Sequence, residues 1–118
     1  MRLVYSPEAL ADLKTIKLYV ERRFGKDKSL KALRDLKGSI RQLVQYPNLG
    51  HSLNDIIDIA TSYRYLVIKP NYIIYSINSD DVHIVRILNE KQDFLENLFG
   101  IPSDTGEDYW SQFDQTTD

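Results

Sequence analysis

Two arginines stand inside apolar, strand-like runs, Arg64 in Tyr63-Arg64-Tyr65-Leu66-Val67-Ile68-Lys69 and Arg86 in Val82-His83-Ile84-Val85-Arg86-Ile87-Leu88. A guanidinium among apolar neighbours is costly unless it is paired or solvated. Two readings follow. One is a structural ion pair with a nearby carboxylate such as Asp93 or Glu90. The other is phosphate recognition, because the planar fork matches phosphate oxygens and never loses its proton. Lys69 and His83 extend the candidate cationic site, and His51 follows Gly50 in a loop. Nothing resembles a nucleophile elbow, a glycine-rich phosphate loop or a paired-carboxylate site. With no cysteine and two distant histidines, no thiol chemistry, disulfide, metal site or cofactor is expected.

The elements that must position these side chains are legible. At 118 residues, 42% apolar and 27% charged, the chain suits one soluble domain. No run approaches a membrane span or a signal peptide, which with the missing cysteines fits a cytoplasmic protein. Met1 to Tyr5 reads as a strand. Ser6-Pro7-Glu8 opens a helix by capping, fixed φ and dipole complementarity, and Leu10, Leu13, Ile16, Val20 and Phe24 give it a stripe ending at Gly25. A second helix carries Leu30, Leu33, Leu36, Ile40, Leu43 and Val44, and Tyr46-Pro47-Asn48-Leu49-Gly50 stops it. So short a link implies an antiparallel helix hairpin. Residues 51–62 lack a period. Three β-branched and aromatic runs follow from Tyr63, separated by Pro70-Asn71 and Asn78-Ser79-Asp80-Asp81, and form an antiparallel meander. Glu90 to Phe99 is a last helix. The predicted class is α+β: an N-terminal strand, a helix hairpin, a β-meander and a short C-terminal helix.

Pairing sets the face of each residue. A first hairpin centred near Pro70 puts Arg64 opposite Ser76, and a second centred near Ser79 puts Ser76 opposite Ile84. Arg64, Leu66, Ile68, Tyr72, Ile74, Ser76, Ile84, Arg86 and Leu88 then share one uncovered face, with the two arginine backbones about 12 Å apart. Tyr65, Val67, Ile73, Tyr75, Ile77, Val85 and Ile87, with His83, form the helix-covered core.

Charge is unevenly distributed. Residues 1–100 hold all 15 Lys and Arg against 12 Asp and Glu, whereas 101–118 hold five acids and no base. The chain divides into a mildly basic domain, 1–100, and an acidic tail, 101–118. The tail is either a solvated terminus or a shield for a cationic surface; Tyr109, Trp110 and Phe113 favour docking. Lys28, Lys31, Arg34 and Arg41, with Arg22, Arg23 and Lys26 at the helical turn, are either a solvated face or a landing surface for nucleic acid or an acidic partner.

Taken in order, Tyr5-Ser6-Pro7-Glu8-Ala9, Tyr46-Pro47-x-x-Gly50, Tyr63-Arg64-Tyr65-Leu66-Val67, Tyr72-Ile73-Ile74-Tyr75 and Val82-x-Ile84-Val85-Arg86-Ile87-Leu88-x-x-x-Gln92-Asp93 resemble the RelE/ParE superfamily of type II toxin–antitoxin toxins. The ParE-like, plasmid-stabilisation branch is the nearer. The resemblance implies a growth-inhibiting cytoplasmic toxin neutralised by a cognate antitoxin in a hetero-oligomer. ParE-type members bind DNA gyrase; other branches are ribosome-dependent mRNA endonucleases. In the nuclease alternative Arg64 and Arg86 would stabilise charge, with Lys69 or Tyr109 as proton carriers. Asn89 stands where many relatives carry histidine, and no lysine lies in 51–63, which favours the non-enzymatic, gyrase-binding alternative. A degenerate, non-toxic binding module is the third alternative.

Overall fold

Two helices fold back on each other across one residue, and that residue is Gly25. The computed structural model describes residues 1–101, in which α1 (Pro7–Phe24) and α2 (Lys26–Gln45) are separated by Gly25 at φ +96°. An L side chain rarely takes that φ, so glycine lets the chain reverse with no straight linker. Ser6 caps α1 by accepting from the Ala9 amide at 2.9 Å, and its hydroxyl also donates to the Val85 carbonyl at 2.7 Å. The cap therefore ties the helix start to a strand 79 residues away.

The strands are β1 (Arg2–Tyr5), β2 (His51–Ser52), β3 (Arg64–Ile68), β4 (Asn71–Ile77) and β5 (Asp81–Asn89), in the sheet order β1-β5-β4-β3-β2. β1 runs parallel to β5; the remaining pairs are antiparallel. A short helix, α3 (Phe94–Phe99), follows; Asp93 caps it by accepting from the Glu96 amide. The predicted class and the meander hold. The aperiodic segment 51–62 adds what periodicity could not show, a two-residue edge strand and a 3-10 turn at Leu53–Asp55.

Both faces of the sheet are covered. Against the helix hairpin, Leu13, Leu36, Ile40 and Leu43 pack on Ile73, Tyr75, Val82, Ile84 and Ile87. On the other face Leu53, Ile74 and Leu88 form a second core, roofed by Phe94, Leu98 and Phe99 of α3 and by Tyr63, Tyr65 and Tyr72. Full burial of such a side chain contributes about 1.5–3 kcal/mol.

The register corrects the expected faces. The β3–β4 hairpin closes between Lys69 and Pro70, with Ile68 opposite Asn71, so Arg64 faces Tyr75 rather than Ser76. That one-residue shift moves Arg64, Leu66 and Ile68 to the helix-hairpin side and Tyr65 and Val67 to the opposite side, where Tyr65 packs on the second core and Val67 stays exposed. Between β4 and β5 a bulge intervenes: Ile74 pairs with Arg86 but Tyr75 pairs with Ile84, leaving Val85 as the extra residue. His83 accordingly lies beside Ser76 and Val4, off the main core, with 40% of its side chain exposed and Asp81 at 4.0 Å.

Candidate functional site

Arg64 and Arg86 are held apart, each by its own set of acceptors. Arg64 sits on β3 beside the loop that leaves α2. Its Nη2 donates to the Gly50 carbonyl at 2.6 Å and to the Asn48 carbonyl at 3.3 Å, and its Nε to the Tyr75 hydroxyl at 3.4 Å. The Tyr75 ring is fully buried, and its hydroxyl also accepts from the Gly50 amide at 3.0 Å and donates to the Pro47 carbonyl at 2.7 Å. One phenol and one guanidinium thus staple the Tyr46-Pro47-x-x-Gly50 turn to the sheet. Gly50 permits it by close approach: a Cβ there would stand 2.3 Å from the Tyr65 carbonyl oxygen.

Arg86 lies on the part of β5 that extends past β1. β1 ends at Tyr5, opposite Ile84, so the flank of β5 beyond Ile84 has no neighbouring strand. Asp12 of α1 fills that position. It accepts from Arg86 Nε at 2.8 Å and Nη2 at 2.9 Å, and from the Ile87 amide at 2.8 Å. Arg86 Nη1 reaches the Asn97 carbonyl of α3 at 3.3 Å. The pair is a two-pronged, largely sheltered salt bridge, with side-chain exposures of 19% and 14%. The hydrogen bond from Asp12 holds the Arg86 pKa above its ordinary value against the opposing effect of burial, helped by the charges of Asp12 and Glu8.

The expected convergence of the two guanidiniums on one open face is therefore corrected. Their cross-strand partners, Tyr75 and Ile74, belong to opposite faces, and both faces are occupied. The carboxylate partner of Arg86 is Asp12, neither Asp93 nor Glu90. Asp12 reads as a solvated position of α1, and no short-range spacing links it to a residue 74 positions on. The role of Tyr75 is equally silent in sequence, though the Pro-x-x-Gly signal marks the turn it grips.

Lys69 is exposed at the β3–β4 turn, beside a groove between α1 and α2 whose lining also includes Asp12, Tyr19, Leu36 and Ile87. Asn89 and Gln92 line the same groove, and the Gln92 side chain accepts from the Asn89 amide at 2.7 Å. Tyr109 lies outside the described residues. Among the described residues no helix is long and apolar enough to cross a membrane.

This scaffold, a helix hairpin on a parallel-plus-antiparallel sheet closed by a short helix, is the toxin fold of the RelE/ParE superfamily. A family profile described as "ParE toxin of type II toxin-antitoxin system, parDE" matches residues 3–94, and the chain belongs to this family. Among solved structures it is similar to a chain of the chromosomal ParDE toxin–antitoxin system from P. aeruginosa, at 25% identity and a TM-score of 0.65. That match covers 75% of this chain and 95% of the other. A YafQ variant from E. coli matches at 17% identity and a TM-score of 0.42, over 76% of this chain and 94% of that one. No curated protein sequence matches significantly.

Proposed function

We propose that this type II toxin arrests growth in the cytoplasm by binding a macromolecular target, DNA gyrase by family analogy, and that a cognate antitoxin neutralises it in a hetero-oligomer. The observation that carries the reading is the engagement of both strand arginines. A phosphate-clamping guanidinium needs free donors directed at the ligand. Arg86 spends Nε and Nη2 on Asp12, and Arg64 spends Nη2 on two backbone carbonyls. Asn89, in place of histidine, offers no acid or base at neutral pH. An antitoxin partner is supported by the family and by the similar ParDE structure.

The test is induced expression with and without the neighbouring antitoxin frame, followed by parallel assays on purified toxin. The reading expects growth arrest relieved by the antitoxin, inhibited supercoiling by gyrase, and intact ribosome-bound message. Message cleavage that persists in the wild type and is lost in Arg64→Lys, with supercoiling unaffected, would replace it with the nuclease reading. In that case Arg64 and Arg86 would be the charge-stabilising residues, and Lys69 and Tyr109 the proton carriers. Continued growth on induction would leave a non-toxic binding module.

A further inference from the structure

The helix layer and the sheet part at the β3–β4 turn. A cleft of about 710 Å³ opens there, bounded by α1 and α2 on one side and by residues 68–71 and the end of β5 on the other. Its floor is apolar. Ile16, Val20, Leu36 and Ile87 line it, and Leu36 and Ile87 are members of the main core. Tyr19, 55% exposed, stands along it as an aromatic wall. Size and lining are those of a small-molecule pocket, which spans about 300–1,000 Å³ and is mainly apolar with a few placed polar groups.

The polar groups at the rim are donors. Gln92 Oε1 accepts from the Asn89 amide at 2.7 Å, and Asn89 Oδ1 accepts from the Lys91 amide at 2.9 Å. Each side-chain amide has thereby committed its oxygen, and its NH2 group has no acceptor among the described residues. Lys69 is exposed at the turn, and among the described residues it has no carboxylate partner. The two carboxylates of the lining are already paired. Asp12 binds Arg86 through both oxygens, and Asp35 meets Lys31 at 3.2 Å. One ammonium and two NH2 groups remain unmatched, a set that suits an anionic acceptor.

Shape favours a narrow occupant. Packed helices lie about 8–10 Å apart between axes. A further helix, about 10–12 Å across, therefore rests on the lip and does not reach the floor at Leu36 and Ile87. A single alkyl chain reaches it. Along α1 the lining runs from Asp12 to Val20, a rise of about 12 Å at about 1.5 Å per residue, which is the span of a medium-length chain.

We propose that this cleft binds a small amphipathic carboxylate with an unbranched alkyl body. Its chain lies along Ile16, Val20, Leu36 and Ile87, and its head meets Lys69, Asn89 and Gln92. Apolar burial supplies the affinity, and the donors fix the direction in which the chain enters. Nothing in this site depends on which macromolecule the toxin binds.

Isothermal titration of the purified full chain with hexanoate, octanoate and decanoate, each below its micelle concentration, tests the site. One saturable site should appear, with affinity rising about fourfold per methylene, the equivalent of about 0.8 kcal/mol for each CH2 buried. Lys69→Gln should weaken decanoate at least about threefold and leave decanol unchanged, because the alcohol has no charge to place. Ala32→Phe fills the cleft from a half-buried position of α2 and should abolish binding of both, with circular dichroism unchanged. Decanoate should shift the methyl resonances of Ile16, Val20, Leu36 and Ile87 and spare those of Leu53 and Leu88 in the second core. Uptake that sets in only near the micelle concentration overturns the proposal, as does uptake that Ala32→Phe leaves intact. Equal weakening of decanoate and decanol by Lys69→Gln also overturns it. Absence of binding overturns it outright, and if Ala32→Phe then blocks relief of growth arrest by the antitoxin, the occupant is a polypeptide. The titration needs neither gyrase nor antitoxin, so its outcome is separate from that of the growth assay.

Discussion

The Tyr75 hydroxyl accepts from Gly50 and Arg64 and donates to Pro47, which exhausts the bonding capacity of a fully buried side chain. Removing it leaves the Gly50 amide without that partner. Tyr75→Phe should therefore lower unfolding stability by about 1–3 kcal/mol in urea titrations, although no apolar area is lost. Asp12 poses the same question with charge. Asp12→Ala strands a sheltered guanidinium and the Ile87 amide, and should cost about 3–5 kcal/mol. Asp12→Leu combined with Arg86→Met should recover much of that loss, because the pair then disappears together. Tyr5 is the converse case. Its hydroxyl is buried with no hydrogen-bond partner among the described residues, and burial raises its pKa above 10 despite the nearby charge of Arg41. The unfolded phenol ionises first as pH rises, so stability is constant below pH 10 on this account and falls above it. Tyr5→Phe should flatten that alkaline loss in unfolding curves taken at high pH. At neutral pH it should leave stability unchanged or slightly raised.

At the scale of elements, the turn after α2 decides where Arg64 points. The strand backbone passes so close to Gly50 that a Cβ would meet the Tyr65 carbonyl at 2.3 Å and the Tyr75 hydroxyl at 2.8 Å. Both are rigid, so Gly50→Ala should destabilise by about 1–3 kcal/mol or more, with the loss read from the denaturation midpoint. The glycine has φ −80°, so the penalty is steric contact and not backbone conformation. The bulge at Val85 acts similarly on β5. It inserts one residue where β1 ends and brings Arg86 to the open flank that Asp12 closes. Alternation alone assigns Arg64 and Arg86 to one face. A one-residue turn shift and one bulge are enough to defeat it, because the side-chain period of a strand is two.

At the scale of the molecule, one sheet carries two cores and a strong separation of charge. The hairpin is net positive, with ten bases to five acids, whereas residues 46–101 hold four bases to seven acids. Association of the hairpin with an acidic partner should slow and weaken steeply between low and physiological ionic strength, and stopped-flow binding at graded salt would measure the slope. Charge reversal at Arg22 and Arg23, two of those ten bases, should flatten the slope.

Local order was written plainly in the chain. Ser6-Pro7 starts α1, Gly25 reverses it, Pro47 and Gly50 end α2, and β-branched runs set the meander, because caps, turns and periodicity act over a few residues. The ParE-like order of these signals, and with it the α+β class, was likewise readable without coordinates. Which acceptor each arginine finds was not. Asp12 meets Arg86 across 74 positions, and Tyr75 meets Gly50 across 25, through a register that one residue can invert. Tertiary packing alone chose between an open cationic face and two closed structural clasps, since a guanidinium binds whichever carboxylate or carbonyl the folded chain brings within about 3 Å.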